Sequence, residues 1–158
     1  MARLGREAML IPANPSGLKN PALGSILLHA RHAEHHGKVF WDVFPQTQDL
    51  PGPFPHPEIR IAYFYDVIDR LVRYKAKVHG VFSGRELPRV KDGKKYLLKH
   101  RRGYYGADSW GYWVLLSDFF ELETPVRLRK LRLVNGGAYI RQVRRYAIVR
   151  DPHLKPIL

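Results

Sequence analysis

Hydrophobic positions along the chain change period twice, and each change marks an element. The opening run AMLIP, residues 8–12, reads as a short strand. A turn-rich stretch, ANPSGLKNP, follows it. Within that stretch Asn20 suits a helix N-cap and Pro21 suits the first helical position. Leu23, Ile26, Leu27 and Ala30 then recur at helical spacing and Gly37 is a natural stop, so a helix is expected over residues 21–36. That face assignment turns His29, His32 and His36 toward solvent. After Gly37 the period drops to two, with Val39, Trp41 and Val43 alternating with Phe40, Asp42 and Phe44. QTQDLPGPFPHP is a proline-rich loop. IRIAYFYDV and RLVRYKAKVHGVF read as an antiparallel pair, joined by a short turn in which Asp66 and Asp69 make local hydrogen bonds. In the second strand Val72, Tyr74, Ala76 and Val78 are expected on one face, and Arg73, Lys75, Lys77 and His79 on the other.

Residues 83–111 form a long, glycine-punctuated basic connection, in which KKYLLKH is a short strand or helix. YWVLLSDFFEL is a long apolar strand. RLRKLRL is a strand or a short helix, NGGAY is a turn, and RQVRRYAIV closes the pattern as a strand or helix. RDPHLKPIL, the end of the sequence, reads as a tail or the start of a linker. The expected fold class is α+β: one domain over residues 1–151, built on a small curved antiparallel or mixed β-barrel flanked by one or more helices. Residues 152–158 are the tail.

Composition narrows the functional classes. With 158 residues and 45% hydrophobic content, the chain supports a real core and is not a disordered polycation. No stretch approaches the ~20 apolar residues of a membrane span, and MARLGREAMLIPANP lacks the apolar region of a signal peptide. Cysteine is absent, which excludes disulfides, thiolate metal sites and cysteine nucleophiles. A cytoplasmic setting is the simplest expectation. Lys and Arg number 27 against 14 acids, a formal net charge of +13. Self-repulsion of that size points to a polyanionic partner, with nucleic acid ahead of an anionic membrane.

Catalytic motifs are scarce. HAEHH is not the HExxH zinc pattern, and no partner carboxylate completes a site of three imidazoles. A solvated helix face is therefore expected there, with no metal and no cofactor. GxxxxGK[ST] and GxSxG are both absent. SGRELPRVKDGKK loosely fits a metal-dependent nuclease, which needs carboxylates converging on magnesium. A binding domain rather than an enzyme is the expectation. What remains is basic residues interleaved with aromatics. Arg85, Arg89, Lys91, Lys94, Lys95, Lys99, Arg101 and Arg102 share the long connection with Tyr96, Tyr104, Tyr105 and Trp110. Residues 126–150 carry seven arginines, one lysine and no acid. Cations neutralise phosphates while aromatic faces stack on unpaired bases. For Trp41 and Trp113, inside apolar strands, plain core packing is the competing reading.

The order of these pieces resembles the PUA-like superfamily, and within it the EVE and YTH branches. The pieces that carry the resemblance are AMLIPANPS, the helix 21–36, HGKVFWDVF, the pair IRIAYFYDV and YKAKVHGVF, GYWVLLSDFFELETPVRL, and the closing LRKLRLVNGG and IRQVRRYAIVRD. Together they span most of residues 8–151, as a matter of pattern and order rather than of one diagnostic string. The resemblance implies a domain that grips a flipped or single-stranded modified base in an aromatic cage. By position, Trp41 matches the cage tryptophan, with Asp42 beside it, and Asn14 and Ser16 lie where a loop hydrogen-bonds the base edge. The second cage aromatic falls among Tyr96, Tyr104, Tyr105 and Trp110. Arg144 or Arg145 lies where a basic residue holds phosphate; Arg101, Arg102, Arg141, Lys75 and Lys77 are further candidates for phosphate. McrB-type restriction systems join such a DNA reader to a GTPase motor and a nuclease subunit, so the resemblance implies a specificity domain of that kind. DNA is the first expected partner. RNA, read by a stand-alone binding or processing accessory, is the second.

Overall fold

The apolar runs assemble into one six-stranded sheet in a computed structural model that describes residues 7–13, 25–43, 54–99, 101, 105, 111–134 and 146–157. The strands are β1 (Glu7–Ala13), β2 (Val39–Val43), β3 (Ile61–Asp66), β4 (Leu71–Ser83), β5 (Tyr112–Val126) and β6 (Ala147–Arg150), with helix α1 (Ile26–His36) between β1 and β2. Across the sheet they run β2-β5-β4-β3-β1-β6. β1 and β3 are parallel, with Met9 opposite Ala62, and the other neighbours are antiparallel. The fold class is α+β, a curled mixed half-barrel, as the alternation of periods predicts. The undecided segments resolve into short pieces. KKYLLKH contributes to a 3-10 turn, Gly93–Tyr96, and RLRKLRL to another, Leu128–Lys130, followed by a bridge from Leu133 to Val149. The described end of RQVRRYAIV is strand β6.

Both faces of this sheet are buried over much of its area, which explains why its strands read as nearly continuous apolar runs. The inner face packs Met9, Ile11, Trp41, Phe64, Val78 and Val114. The outer face is covered in two places. Leu128, Leu131 and Val149 lie over Leu10, Tyr63 and Leu122. The segment of 3-10 turns after β4 lays Leu87, Tyr96 and Leu97 over Phe40, Trp113 and Leu115. Residues 151–157, read from sequence as a tail or linker, run beside β5. Glu123 N–H donates to the Lys155 carbonyl and Ile157 N–H to the Glu121 carbonyl, each at 2.8 Å. The Tyr63 hydroxyl donates to Asp151 at 2.6 Å and accepts from Leu154 N–H at 3.2 Å.

Helix α1 departs from expectation in its start and its buried face. Ser25, rather than Asn20, is its N-cap: the Ser25 hydroxyl accepts from Leu28 N–H at 3.2 Å. Residues 14–24 lie outside the described residues. The predicted stop holds, with Gly37 at φ 92° and its N–H on the Ala33 carbonyl at 2.7 Å. The buried face is Ile26, His29 and Ala33. Leu27, expected in the core, is 43% exposed, while His29, expected in solvent, is 3% exposed. The reason is the ring beneath it. Trp41 presents a flat aromatic face, and the imidazole stacks on it at 4.0 Å with its planes 28° apart. The His29 Nδ1–H donates to the Ser25 carbonyl at 2.7 Å, so a polar ring packs without an orphaned proton.

Bulges break the alternation in β4 and β5. Phe64 pairs with Tyr74 but Tyr65 pairs with Val72, so Arg73 is an extra residue. Val72 therefore joins the outer cluster while Tyr74, Ala76 and Val78 face inward, correcting the single-face grouping. The Asp66–Asp69 turn forms as expected. Asp66 accepts from Ile68 N–H at 2.8 Å, Asp69 accepts from Leu71 N–H at 3.2 Å, and Arg70 takes a left-handed φ of 62°.

Candidate nucleic-acid interface

Trp41, the expected cage wall, is 1% exposed. His29 stacks on it and the Phe64 ring lies 4.7 Å from it. An indole covered in this way is a core residue, not an open stacking platform for a base. Asp42 beside it is half-buried, and Arg101 Nε approaches its carboxylate at 3.7 Å. Both are thus engaged with each other, which partly neutralises Arg101 as a phosphate ligand. Lys75 is engaged as well: its ammonium donates to the Leu154 carbonyl at 2.9 Å and sits 5.6 Å from the centre of the Tyr63 ring. Lys77 is exposed and remains suitable for phosphate. Asn14, Ser16, Tyr104, Trp110, Arg102, Arg141, Arg144 and Arg145 lie outside the described residues.

A different set of cations gathers on the cover after β4. Lys91, Lys94, Lys95 and Lys99 are exposed there. None of the four pairs with a carboxylate among the described residues. Leu87 and Leu97 anchor this cover in the outer cluster, which forces the intervening polar side chains outward. Tyr96 is buried beneath the patch. Lys38 Nζ stands 5.7 Å and Lys95 Nζ 5.4 Å from its ring centre, within cation–π range. His32 of α1 donates Nε2–H to the Lys95 carbonyl at 2.7 Å and ties the helix to the cover. The patch is thus a rigidly mounted cationic face extending from the 3-10 turns to the end of α1.

Next to it, two bulges meet. Val78 pairs with Leu116 but Gly80 with Leu115, making His79 the extra residue of β4. Lys77 pairs with Ser117 but Lys75 with Phe120, which leaves one residue too many on β5, where Asp118 has φ 56°. Bulges re-aim side chains, and these bring His79 Nε2 to 2.6 Å from the Ser117 hydroxyl, which donates to Asp118 at 2.9 Å. A carboxylate only accepts, so the proton order is His79 Nε2–H to Ser117, and Ser117 O–H to Asp118. In that order the serine O–H points at the aspartate and His79 is a donor to the serine oxygen. Burial lowers the His79 pKa below its ordinary value, and Lys38 and Lys77 add to the effect against the opposing pull of Asp118. Ser117 and Asp118 line an open cavity of about 310 Å³ whose other wall is the C-terminal half of α1.

No protein-family model matches the chain. No curated protein matches it significantly. Among solved structures it is similar to one titled "Crystal structure of ASCH from Zymomonas mobilis", at 14% identity and a TM-score of 0.37, over 77% of this chain and 73% of that one.

Two groups of residues escaped the sequence reading. The first is an aromatic trio at one end of the inner core, where Phe54 lies 5.0 Å from Tyr112 and 6.0 Å from Tyr146. Burial, with a smaller effect from Tyr112, pushes the Tyr146 pKa up to about 12. The second is the group His79, Ser117 and Asp118. A signal for it exists in YWVLLSDFFEL, where the polar pair Ser117-Asp118 interrupts an apolar strand. Polar residues that interrupt an apolar strand with no periodic reason mark a bulge or a site; here Ser117 is buried and Asp118 exposed. Among the described residues, no three histidine, cysteine, aspartate or glutamate side chains gather to hold a metal, and no helix is long and apolar enough to cross a membrane.

Proposed function

We propose that this chain is a nucleic-acid-binding domain of PUA-like architecture, acting by binding rather than catalysis. The observation that carries this reading is the cationic face on the 3-10 cover. Four exposed lysines, without carboxylate partners among the described residues, share this cover, one of them beside the Tyr96 ring, in a chain of net charge +13. Such a surface gains affinity by releasing counterions from a polyanion. The order of strands and helix supports the PUA-like reading, with DNA first and RNA second as ligands. The finer role, reader of a modified base for a restriction system with a GTPase motor and nuclease, rests on an open Trp41. Because that indole is covered, the geometry favours the broader function.

Titration of labelled single- and double-stranded DNA and RNA oligonucleotides at two salt concentrations tests the proposal. Binding that weakens steeply with salt is the expected result. No binding at low salt would overturn it. Clean, saturable cleavage of plasmid with magnesium or manganese would replace it with a nuclease.

A further inference from the structure

We propose that the cavity between α1 and the Asp118 bulge takes one unstacked guanine of a nucleic-acid strand, its N1–H and N2–H edge on the Asp118 carboxylate and its ring against Phe120. The proposal deepens the nucleic-acid reading above and rests on it. At about 310 Å³ the cavity is at the small end of ligand sites. Its walls differ in chemistry. Phe119 is anchored inward, 5.7 Å from Phe64, whereas Phe120 is 44% exposed at the cavity. An exposed aromatic beside a held one is a ring available for stacking. On the helix side Ala33 is small and leaves room for a flat ligand.

Two carboxylates give this cavity its acceptors, and the Ser117 hydroxyl that also lines it donates its proton to Asp118. Glu34 and Asp118 both line it, and it lies at the C-terminal, electronegative end of α1. Carboxylates accept hydrogen bonds and donate none. Among the common bases of DNA and RNA, guanine alone presents two ring-edge donors side by side, N1–H and N2–H, which match the two oxygens of a carboxylate. Adenine offers its amino group next to an acceptor, which Asp118 would repel. Uracil and thymine offer a single N–H between two carbonyls, and cytosine an amino group beside an acceptor nitrogen. Asp118 is also held in place. Ser117 donates to one of its oxygens, His79 donates to Ser117, and the backbone at φ 56° is a conformation that a folded surround must impose. An acceptor site would repel a polyanion if it stood alone. Here Lys38 follows directly on Gly37 at the cavity wall and reaches Tyr96 of the cationic face, while Lys77 flanks His79. The strand's phosphates thus have cations to run along while one base enters the acceptor pocket.

The test is fluorescence anisotropy with labelled heptamers of uridine, carrying at the centre guanosine, inosine or adenosine. Inosine lacks the N2 amino group and nothing else. The guanosine heptamer is expected to bind roughly tenfold more tightly than the inosine one. Asp118→Asn is expected to abolish that preference; asparagine tolerates the left-handed backbone at this position. Phe120→Ala is expected to weaken the guanosine and inosine heptamers alike, by about tenfold. If guanosine and inosine heptamers bind the unaltered protein equally, the guanine pocket is wrong while salt-sensitive binding of all heptamers keeps the cationic face. If no heptamer binds, the guanine pocket falls, and the nucleic-acid reading falls with it only where the DNA oligonucleotides of the salt titration also fail to bind.

Discussion

Trp41 shows how one residue's surroundings decide between two readings of the same sequence. An aromatic in an apolar strand at the end of a helix-to-strand step fits a cage wall and a core filler equally well. Helix α1 decides by placing His29 over the indole. Trp41→Ala should therefore cost about 3–5 kcal/mol of stability, as for other large aromatics truncated in a core, and Trp41→Phe much less. Urea denaturation of the three proteins checks this; an unchanged midpoint for the alanine variant would mean the indole packs against nothing. His79 makes a prediction about pH. Its folded pKa lies below the ordinary 6.5, so the unfolded chain binds more protons between those two values. The stabilising contribution is complete above pH 6.5 and is lost as pH falls through the folded pKa. The wild type should lose stability relative to His79→Gln between about pH 7 and pH 5. A constant gap between their urea midpoints across that range would remove His79 from this role.

At the level of elements, the order of strands and helix was legible because each changes the hydrophobic period. The face of α1 was not. Leu23 and Leu27 suggested one stripe, but the residue that packs inward is chosen by the shape of β2's Trp41, which lies across the sheet. Bulges were hidden for the same reason. One inserted residue reverses every later side chain of a strand, and Arg73, His79 and the Asp118 region each do so only in relation to a pairing partner. The covers were hidden too, since an outer face reads as apolar whether a neighbouring strand or a 3-10 turn buries it. The β2–β5 pair exposes one further constraint. A Cβ on Gly111 would stand 2.8 Å from the Val43 carbonyl oxygen, an approach the backbone cannot relieve by rotating a side chain. Gly111→Ala should push β2 from β5 at the Val43–Tyr112 end and cost about 1–3 kcal/mol. Thermal melting measures that cost, and hydrogen exchange at Trp41 and Val43 would locate it. A wild-type melting temperature would show that the two strands are not held this closely.

For the whole molecule the question is where its positive charge acts. Net charge alone predicts attraction to any polyanion, with no preferred face. The covers make the distribution uneven. The 3-10 segment after β4 has an apolar underside fixed on Phe40 and Trp113, so its lysines cannot turn inward, and its acids, Glu86 and Asp92, are outnumbered by its cations. Glu86 accepts the Ser83 N–H at 2.9 Å and is occupied with capping. If strands of nucleic acid follow this face, reversing Lys94 and Lys95 to glutamate should weaken all oligonucleotides by a similar factor, whatever their sequence. For a single strand each lost phosphate contact flattens the log–log salt dependence by about 0.7, so the double variant should be shallower by about 1.4. The same substitutions on the other cover, at Arg129 and Lys130 beside Leu128, provide the comparison. Equal loss from both pairs would mean a diffuse attraction to the whole surface. Loss confined to Lys94 and Lys95 assigns the binding to the face that also borders the Asp118 cavity, because Lys38 stands over Tyr96 at one end and adjoins Gly37 of the cavity wall at the other.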